Sequence, residues 1–153
     1  MNAKKPESNV SLRPATQADA ATIRSIISQV KINPLALDWH RFVVAMDHDG
    51  RVVGCGQVKP HHDGTRELAS IAVLPDWRSK GVARMIIDHL LLQNPGTIYL
   101  TCQSTLGPMY QKFGFKAISP EEMTPYFRRL YRMVAWVGRI THQPHTMLVM
   151  RRN

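Results

Sequence analysis

"SIAVLPDWRSKGVARMIIDHLL", residues 70–91, decides how this chain reads. An apolar run from Ile71 to Leu74 stops at Pro75, and Arg78, Ser79, Lys80, Gly81 and Ala83 gather just ahead of an amphipathic segment. The run reads as a strand. Val82, Met85, Ile86, His89, Leu90 and Gln93 recur at helical spacing as an inner stripe and its edges, and Asn94-Pro95-Gly96 ends the helix. A helix start leaves backbone N–H groups unpaired at the positive end of its dipole, so an anion held there satisfies them. No good capping side chain stands here. Gly81 instead lets backbone approach a ligand, and Arg78 and Lys80 can neutralise phosphate oxygens. The glycine-to-lysine spacing and Lys-Ser/Thr ending of a Walker loop are absent, which argues against NTP hydrolysis.

On the N-terminal side, a short strand ends near Pro14, and a helix is predicted over Ala18–Val30, with Thr16 and Asp19 at capping-box spacing and Ile23, Ile26, Ile27 and Val30 on one face. Asp47-His48-Asp49-Gly50 is a hairpin turn between two β-rich runs. Gly54-Cys55-Gly56 lacks the third glycine and the following helix of a dinucleotide fingerprint, so a Rossmann unit is excluded. A second turn at His61–Gly64 feeds a strand from Arg66 to Leu74, predicting three antiparallel strands in a row. On the C-terminal side come a strand "TIYLTC", a helix "GPMYQKF" entered by Pro108, and a strand "GFKAI". A helix over "EEMTPYFRRLYRMVAWVGRI" follows, with Phe127, Leu130, Tyr131 and Val134 on one face and Arg128, Arg129 and Arg132 turned away. "HTMLVMRR" is a last strand. The pattern is α/β (α+β) with mixed strand directions. With no repeat or linker, residues 10–153 read as one domain and residues 1–9 as a short flexible arm.

Composition bounds the function. The 153 residues are 44% hydrophobic and 20% charged, with no apolar run near the roughly 18 residues a membrane span needs, so a soluble protein is expected. The first nine residues lack the apolar middle of a secretory signal, which points to the cytoplasm. Cys55 and Cys102, far apart, read as two buried reduced thiols. A formal charge of +9 calls for an anionic partner, without choosing among nucleic acid, an anionic membrane and a phosphorylated cofactor. His61-His62 and His142 with His145 lack further ligands at zinc spacing, so no metal is expected.

The opening stretch resembles the acetyl-CoA-binding segment of the GNAT superfamily of acetyltransferases, whose signature Arg/Gln-x-x-Gly-x-Gly/Ala is met by Arg78, Gly81 and Ala83. "MYQKFGF", Met109–Phe115, is similar to the family's second signature, Leu-Tyr-x-Lys-x-Gly-Phe, with Met in place of Leu. The order of elements matches from Ser11 to Arg151. The resemblance implies a mixed, mostly antiparallel sheet of about seven strands flanked by helices. It also implies an N-acetyltransferase that moves an acetyl group from acetyl-CoA to a primary amine by direct attack through a tetrahedral intermediate, with no metal. The acceptor is a small molecule or a peptide or protein amine, and a homodimer is an option. Carried over position by position, the backbone of Ile71, Ala72 and Val73 pairs with pantetheine and steadies the oxyanion. Arg78, Ser79, Lys80, Gly81, Val82, Ala83 and Arg84 contact pyrophosphate, and Lys112 lies near the adenosine end. Gln103 stands where an Asn commonly bonds the pantetheine arm, and Tyr110 is the cofactor-contacting general acid. Glu67 takes the place of a base acting through water, with Ser70 in the water chain and His61, His62 and Asp63 as alternatives. The acceptor walls are "KINPLALDWHRF" and "SPEEMTPYFRRLYRMVAWVGRITHQP".

Each assignment has a structural counterpart: Tyr110 as a core tyrosine bonded to backbone, Glu67 as a solvated or salt-bridged strand residue, and Trp39, Tyr126, Tyr131 and Trp136 as packing and not as a pocket lining. A non-catalytic acyl-CoA-binding or regulatory module is the alternative function. A basic nucleic-acid-binding protein is disfavoured, because no basic run is interleaved with stacking aromatics outside one helix.

Overall fold

The computed structural model describes residues 9–32, 34, 37–143 and 146–153. The arm expected at residues 1–9 lies outside the described residues except for Asn9, as do Asn33, Leu35 and Ala36 of the first acceptor wall and His145 of the second histidine pair. The strands are β1 (Ser11–Pro14), β2 (Phe42–Met46), β3 (Val52–Pro60), β4 (Arg66–Val73), β5 (Ile98–Gln103), β6 (Lys116–Ala117) and β7 (Met147–Arg152). The helices are α1 (Ala20–Gln29), α2 (Val82–Gln93), α3 (Gly107–Gln111) and α4 (Pro125–Ile140). One mixed sheet runs in the order β1-β2-β3-β4-β5-β7-β6. The pair β4/β5 is parallel, with Glu67 opposite Tyr99, while β1/β2, β2/β3, β5/β7 and β6/β7 are antiparallel. No helix among the described residues is long and apolar enough to cross a membrane.

The chain forms two compact units. The first is the described part of Met1–Val58 with Ala69–Asn94. Its core holds Ile23, Ile26 and Ile27 of α1 against Phe42, Val44, Cys55 and Ala72, and Trp39 packs on it. The predicted capping box forms, but its Asp19 ends a 3-10 turn, Gln17–Asp19, that delays α1 to Ala20. Asp19 accepts a two-pronged bond from Arg13, at 2.7 and 3.0 Å, and one from the Thr16 N–H at 2.7 Å. In the first hairpin, Asp47 Oδ1 accepts from the N–H groups of Asp49 and Arg51, both at 2.9 Å. The Gly-Cys-Gly stretch proves to be a packing device: a Cβ at Gly56 would stand 2.6 Å from Ile71 Cδ1 and 2.7 Å from Ile86 Cγ2. β3 thereby lets α2 settle close to it. The buried face of α2 differs from the predicted stripe, since Ile87 and Leu91 join Val82, Ile86 and Leu90, whereas Met85 and His89 are half-buried and Gln93 is exposed.

The second unit is Lys59–Leu68 with Pro95–Asn153. Its cluster is Tyr99, Met123, Phe127 and Val149, with Tyr126, Leu130 and Tyr131 packed against it. α3 and β6 are shorter than predicted, and α4 begins at Pro125 and not at Glu121. The cause is local. Ser119 and Glu122 close a capping box around the turn Pro120–Glu122, and Pro125, whose missing N–H costs nothing at a helix start, opens α4. Arg128 is not a solvated exterior residue: its guanidinium donates to the carbonyls of Pro120, Glu121 and Met123. Arg129 and Arg132 are exposed, as is Trp136. Cys55 is buried but Cys102 only partly so, and both thiols are free.

Candidate active site

In the first unit, β4 ends at Val73, one residue earlier than predicted, and the turn Pro75–Trp77 leads into residues 78–81. Ser79 and Gly81 both sit in the left-handed region, at φ +60° and +79°. Gly81 is the N-cap of α2, and no side chain bonds the helix's first amides from that position. Alternating left-handed residues turn successive N–H groups into a shallow anion-binding concavity, and the helix dipole adds to it. Arg78, Ser79 and Lys80 are exposed around this turn, with the Lys80 ammonium 5.0 Å from the centre of the Trp77 ring. Val82 points into the core, so its part in any anion contact is limited to backbone. Ala72 and Val73 are likewise buried and Ile71 partly so.

Two residues upstream of that segment's centre, Ser70 holds φ +58°, a conformation that costs a non-glycine residue about 1–3 kcal/mol. The fully buried Gln57 donates from Nε2 to Ser70 Oγ at 2.9 Å, and the Cys55 thiol lies 3.9 Å from the Ser70 carbonyl. The Ser70 hydroxyl accepts the Gln57 bond, which leaves its own O–H able to donate as the water-chain expectation requires. A strained residue inside a strand is invisible to periodicity, because alternation reads faces and not φ.

In the second unit, Glu67 is a buried carboxylate, 5% exposed, and not a solvated strand residue. His61 Nε2 lies 2.7 Å from its Oε2, Lys59 Nζ lies 3.9 Å from the same oxygen, and Thr101 Oγ1 donates to Oε1 at 3.4 Å. A carboxylate acts as acceptor, so the imidazole donates from Nε2. The His61 ring stacks on Tyr126, with centroids 3.5 Å apart and planes at 17°, and meets Phe127 edge-on at 5.8 Å. Burial pushes the Tyr126 phenol up, and the charges of Glu67 and Asp63 push it further.

Of the three alternatives to Glu67, only His61 reaches it. Asp63 instead accepts from the Thr65 N–H at 3.1 Å and the Tyr126 N–H at 3.0 Å. Burial raises the Asp63 carboxyl, but a hydrogen bond from the Thr65 hydroxyl, with these two backbone bonds and the nearby Thr124 hydroxyl, more than offsets it and holds it at about 2. His62 is exposed. Lys59, Thr101 and the ring of Tyr126 are neighbours that the sequence reading does not supply, since the β3/β4 and β4/β5 pairings and the α4 entry that deliver them leave no local trace in the sequence.

Tyr110, on α3, has its phenol pushed up to about 12 by burial and then by the nearby Cys102. Its ring meets Phe115 edge-on at 6.2 Å. Gln103 ends β5 exposed, and Lys112 is exposed just after α3. Among the described residues, no three of His, Cys, Asp and Glu converge as metal ligands, and the pair His142 and His145 is cut by the boundary of the described residues.

A strand that runs into a glycine-led, cation-flanked helix start, within a seven-stranded mixed sheet carrying α3 and β6 after β5, defines an acyltransferase-like class of fold. Residues 38–117 match the acetyltransferase (GNAT) domain, and the chain belongs to that family. It is 24% identical over 127 residues to an uncharacterized N-acetyltransferase of Chlorobaculum tepidum, covering 76% of this chain and 81% of that protein. Among solved structures, N-acetylglutamate synthase from Neisseria gonorrhoeae, complexed with coenzyme A and N-acetyl-glutamate, aligns with a TM-score of 0.74 at 21% identity over 95% of this chain. This chain spans only 35% of that protein. Rv2747 from Mycobacterium tuberculosis, in complex with CoA, aligns with a TM-score of 0.71 at 22% identity, covering 93% of this chain and 98% of its own. At such identities the two structures share the fold with this chain.

Proposed function

We propose that this protein is an N-acetyltransferase that moves the acetyl group of acetyl-CoA to a primary amine by direct attack through a tetrahedral intermediate. The observation that carries the reading is the start of α2. Its N-cap is a left-handed glycine with no side-chain cap, beside a left-handed serine and two exposed cations, in a chain of the GNAT family. A pyrophosphate fits these groups: it supplies acceptors for the first amides of α2 and counter-charge for Arg78 and Lys80. Ser79, Gly81, Val82, Ala83 and Arg84 would contribute backbone or side-chain contacts to it, Lys112 would neighbour the adenosine phosphate, and Gln103 would bond the pantetheine arm.

Acetyl-CoA supplies an activated acyl carbon and a thiolate leaving group. The chain's part is positioning and proton handling. Backbone N–H groups along Ile71–Val73 pair with the pantetheine and steady the oxyanion. Glu67, through water, takes the proton the ammonium must lose before it attacks, and Tyr110, protonated at neutral pH, donates one to the departing sulfur.

The test couples binding to turnover. Calorimetry with acetyl-CoA should give a dissociation constant that rises about tenfold or more in Arg78→Ala/Lys80→Ala, the loss expected for charge-assisted contacts to phosphate. Thiol release should be measured over amino acids, polyamines and peptides. Acidic amino acids come first, because the Neisseria relative was solved with N-acetyl-glutamate. Binding with no thiol release on any amine would turn the assignment to a non-catalytic acyl-CoA module, and no binding at all would remove it.

A further inference from the structure

We propose that His61 is a positioning residue that sets the carboxylate of Glu67 for proton transfer, and that Tyr126 clamps the imidazole in place; this rests on the acetyl-transfer reading above. The two oxygens of Glu67 are held unequally. Oε2 receives the His61 Nε2–H at 2.7 Å and faces Lys59 Nζ at 3.9 Å, whereas Oε1 has the longer 3.4 Å contact from Thr101. The more loosely held Oε1 is therefore the atom that accepts the proton. That proton passes from the substrate ammonium through water to Oε1 and leaves to solvent once the amide has formed, so no other co-reactant is needed.

The imidazole is itself fixed from two directions. Tyr126 stacks on one face at 3.5 Å, and Phe127 meets the ring edge-on. Tyr126 is pinned in turn, because its N–H donates to Asp63 Oδ2 at 3.0 Å and Asp63 belongs to the same turn as His61. Turn and helix start thus lock each other around the ring. A side chain held only to fill space needs neither a 2.7 Å bond to a buried carboxylate nor a parallel aromatic partner.

The test is a double-mutant cycle with thiol release as the readout and imidazole nitrogen NMR beside it. His61→Ala should lower kcat about 10- to 100-fold, the size of effect a misplaced catalytic group produces, with KM for acetyl-CoA within about twofold. His61→Gln, which keeps a donor, should recover most of that loss. In a Glu67→Gln background, His61→Ala should cost less than about threefold, because its partner's function is already gone. An equal factor in both backgrounds means that His61 only supports the fold, and the proposal is overturned. In the resting wild type, NMR should show His61 protonated at Nε2; an Nδ1–H tautomer overturns the proposal whatever the turnover. An Nε2–H tautomer in a wild type that releases no thiol refutes the acetyl-transfer reading instead, and the role of the pair with it.

Discussion

Replacing Tyr110 by Phe removes one hydroxyl and keeps the ring that meets Phe115 at 6.2 Å, so fold and coenzyme affinity should be spared. The phenol is pushed up to about 12, which keeps it protonated at neutral pH and makes it an acid and never a base there. An ordinary thiol titrates near 8.5, and handing a proton from this phenol to a fully solvated thiolate would run uphill by about 5 kcal/mol, at 1.36 kcal/mol per pKa unit. The interior changes that comparison. Burial alone pushes the Cys55 thiol up to about 12, so a leaving sulfur that is equally shut from water matches the phenol and the transfer becomes nearly level. On this reasoning Tyr110→Phe should lower kcat by about 10²- to 10⁴-fold, or about 3–5 kcal/mol of barrier, with acetyl-CoA affinity changed less than about threefold. Steady-state thiol release and calorimetry measure the two sides. An acetyl aryl thioester, whose thiolate leaves without needing a proton, should narrow the gap. A kcat within about threefold of wild type, or an equal gap with both donors, refutes the acid role.

Two further outcomes test the scaffold. Gly56→Ala forces a methyl into the space between β3 and α2, where Ile71, Ile86 and Leu90 already stand within 3.1 Å of the added carbon. Overpacking of that kind costs about 1–3 kcal/mol, several degrees of Tm for a chain this long, and an unchanged melting curve would show that the isoleucines step aside freely. Asp19→Asn breaks the fork from Arg13, a loss of about 1.5–3 kcal/mol for bonds to a charged group. The Arg13 hydrogen bond, with those from Thr16, holds the Asp19 carboxyl well below its ordinary range. Its contribution is therefore complete above the unfolded value near 3.9 and fades as pH falls through the lower folded one. Urea titrations at pH below about 4 should show a shallower loss of stability in Asp19→Asn than in wild type, and parallel losses would deny that this carboxylate carries the dependence.

Much of the fold was legible because its signals are short-range. The Asp47–Gly50 turn, the Thr16/Asp19 capping box and the spacing of Ile23, Ile26 and Ile27 each involve residues within a turn of one another, and all three appear as read. Where boundaries moved, a local competitor won: the turn at Pro120–Glu122 took residues from the start of α4, and the 3-10 turn at Gln17–Asp19 took them from α1. The burial of Glu67 and its bond to His61 were not legible. His61 stood as one of three alternatives to Glu67, when its place is beside it.

By itself the sequence determined the start of α2. A glycine at φ +79°, two cations and an uncapped helix are demands met within a few consecutive residues, and no distant contact is needed to impose them. Tertiary structure alone decided what surrounds the carboxylate of Glu67. Thr101 reaches it because β5 lies parallel to β4 with Tyr99 opposite Glu67, and Tyr126 reaches His61 because Asp63 fastens the head of α4 to the turn. Those meetings join segments far apart along the chain. Their register is set by burial of shared apolar faces, which many sequences satisfy equally well, so only the folded arrangement distinguishes them.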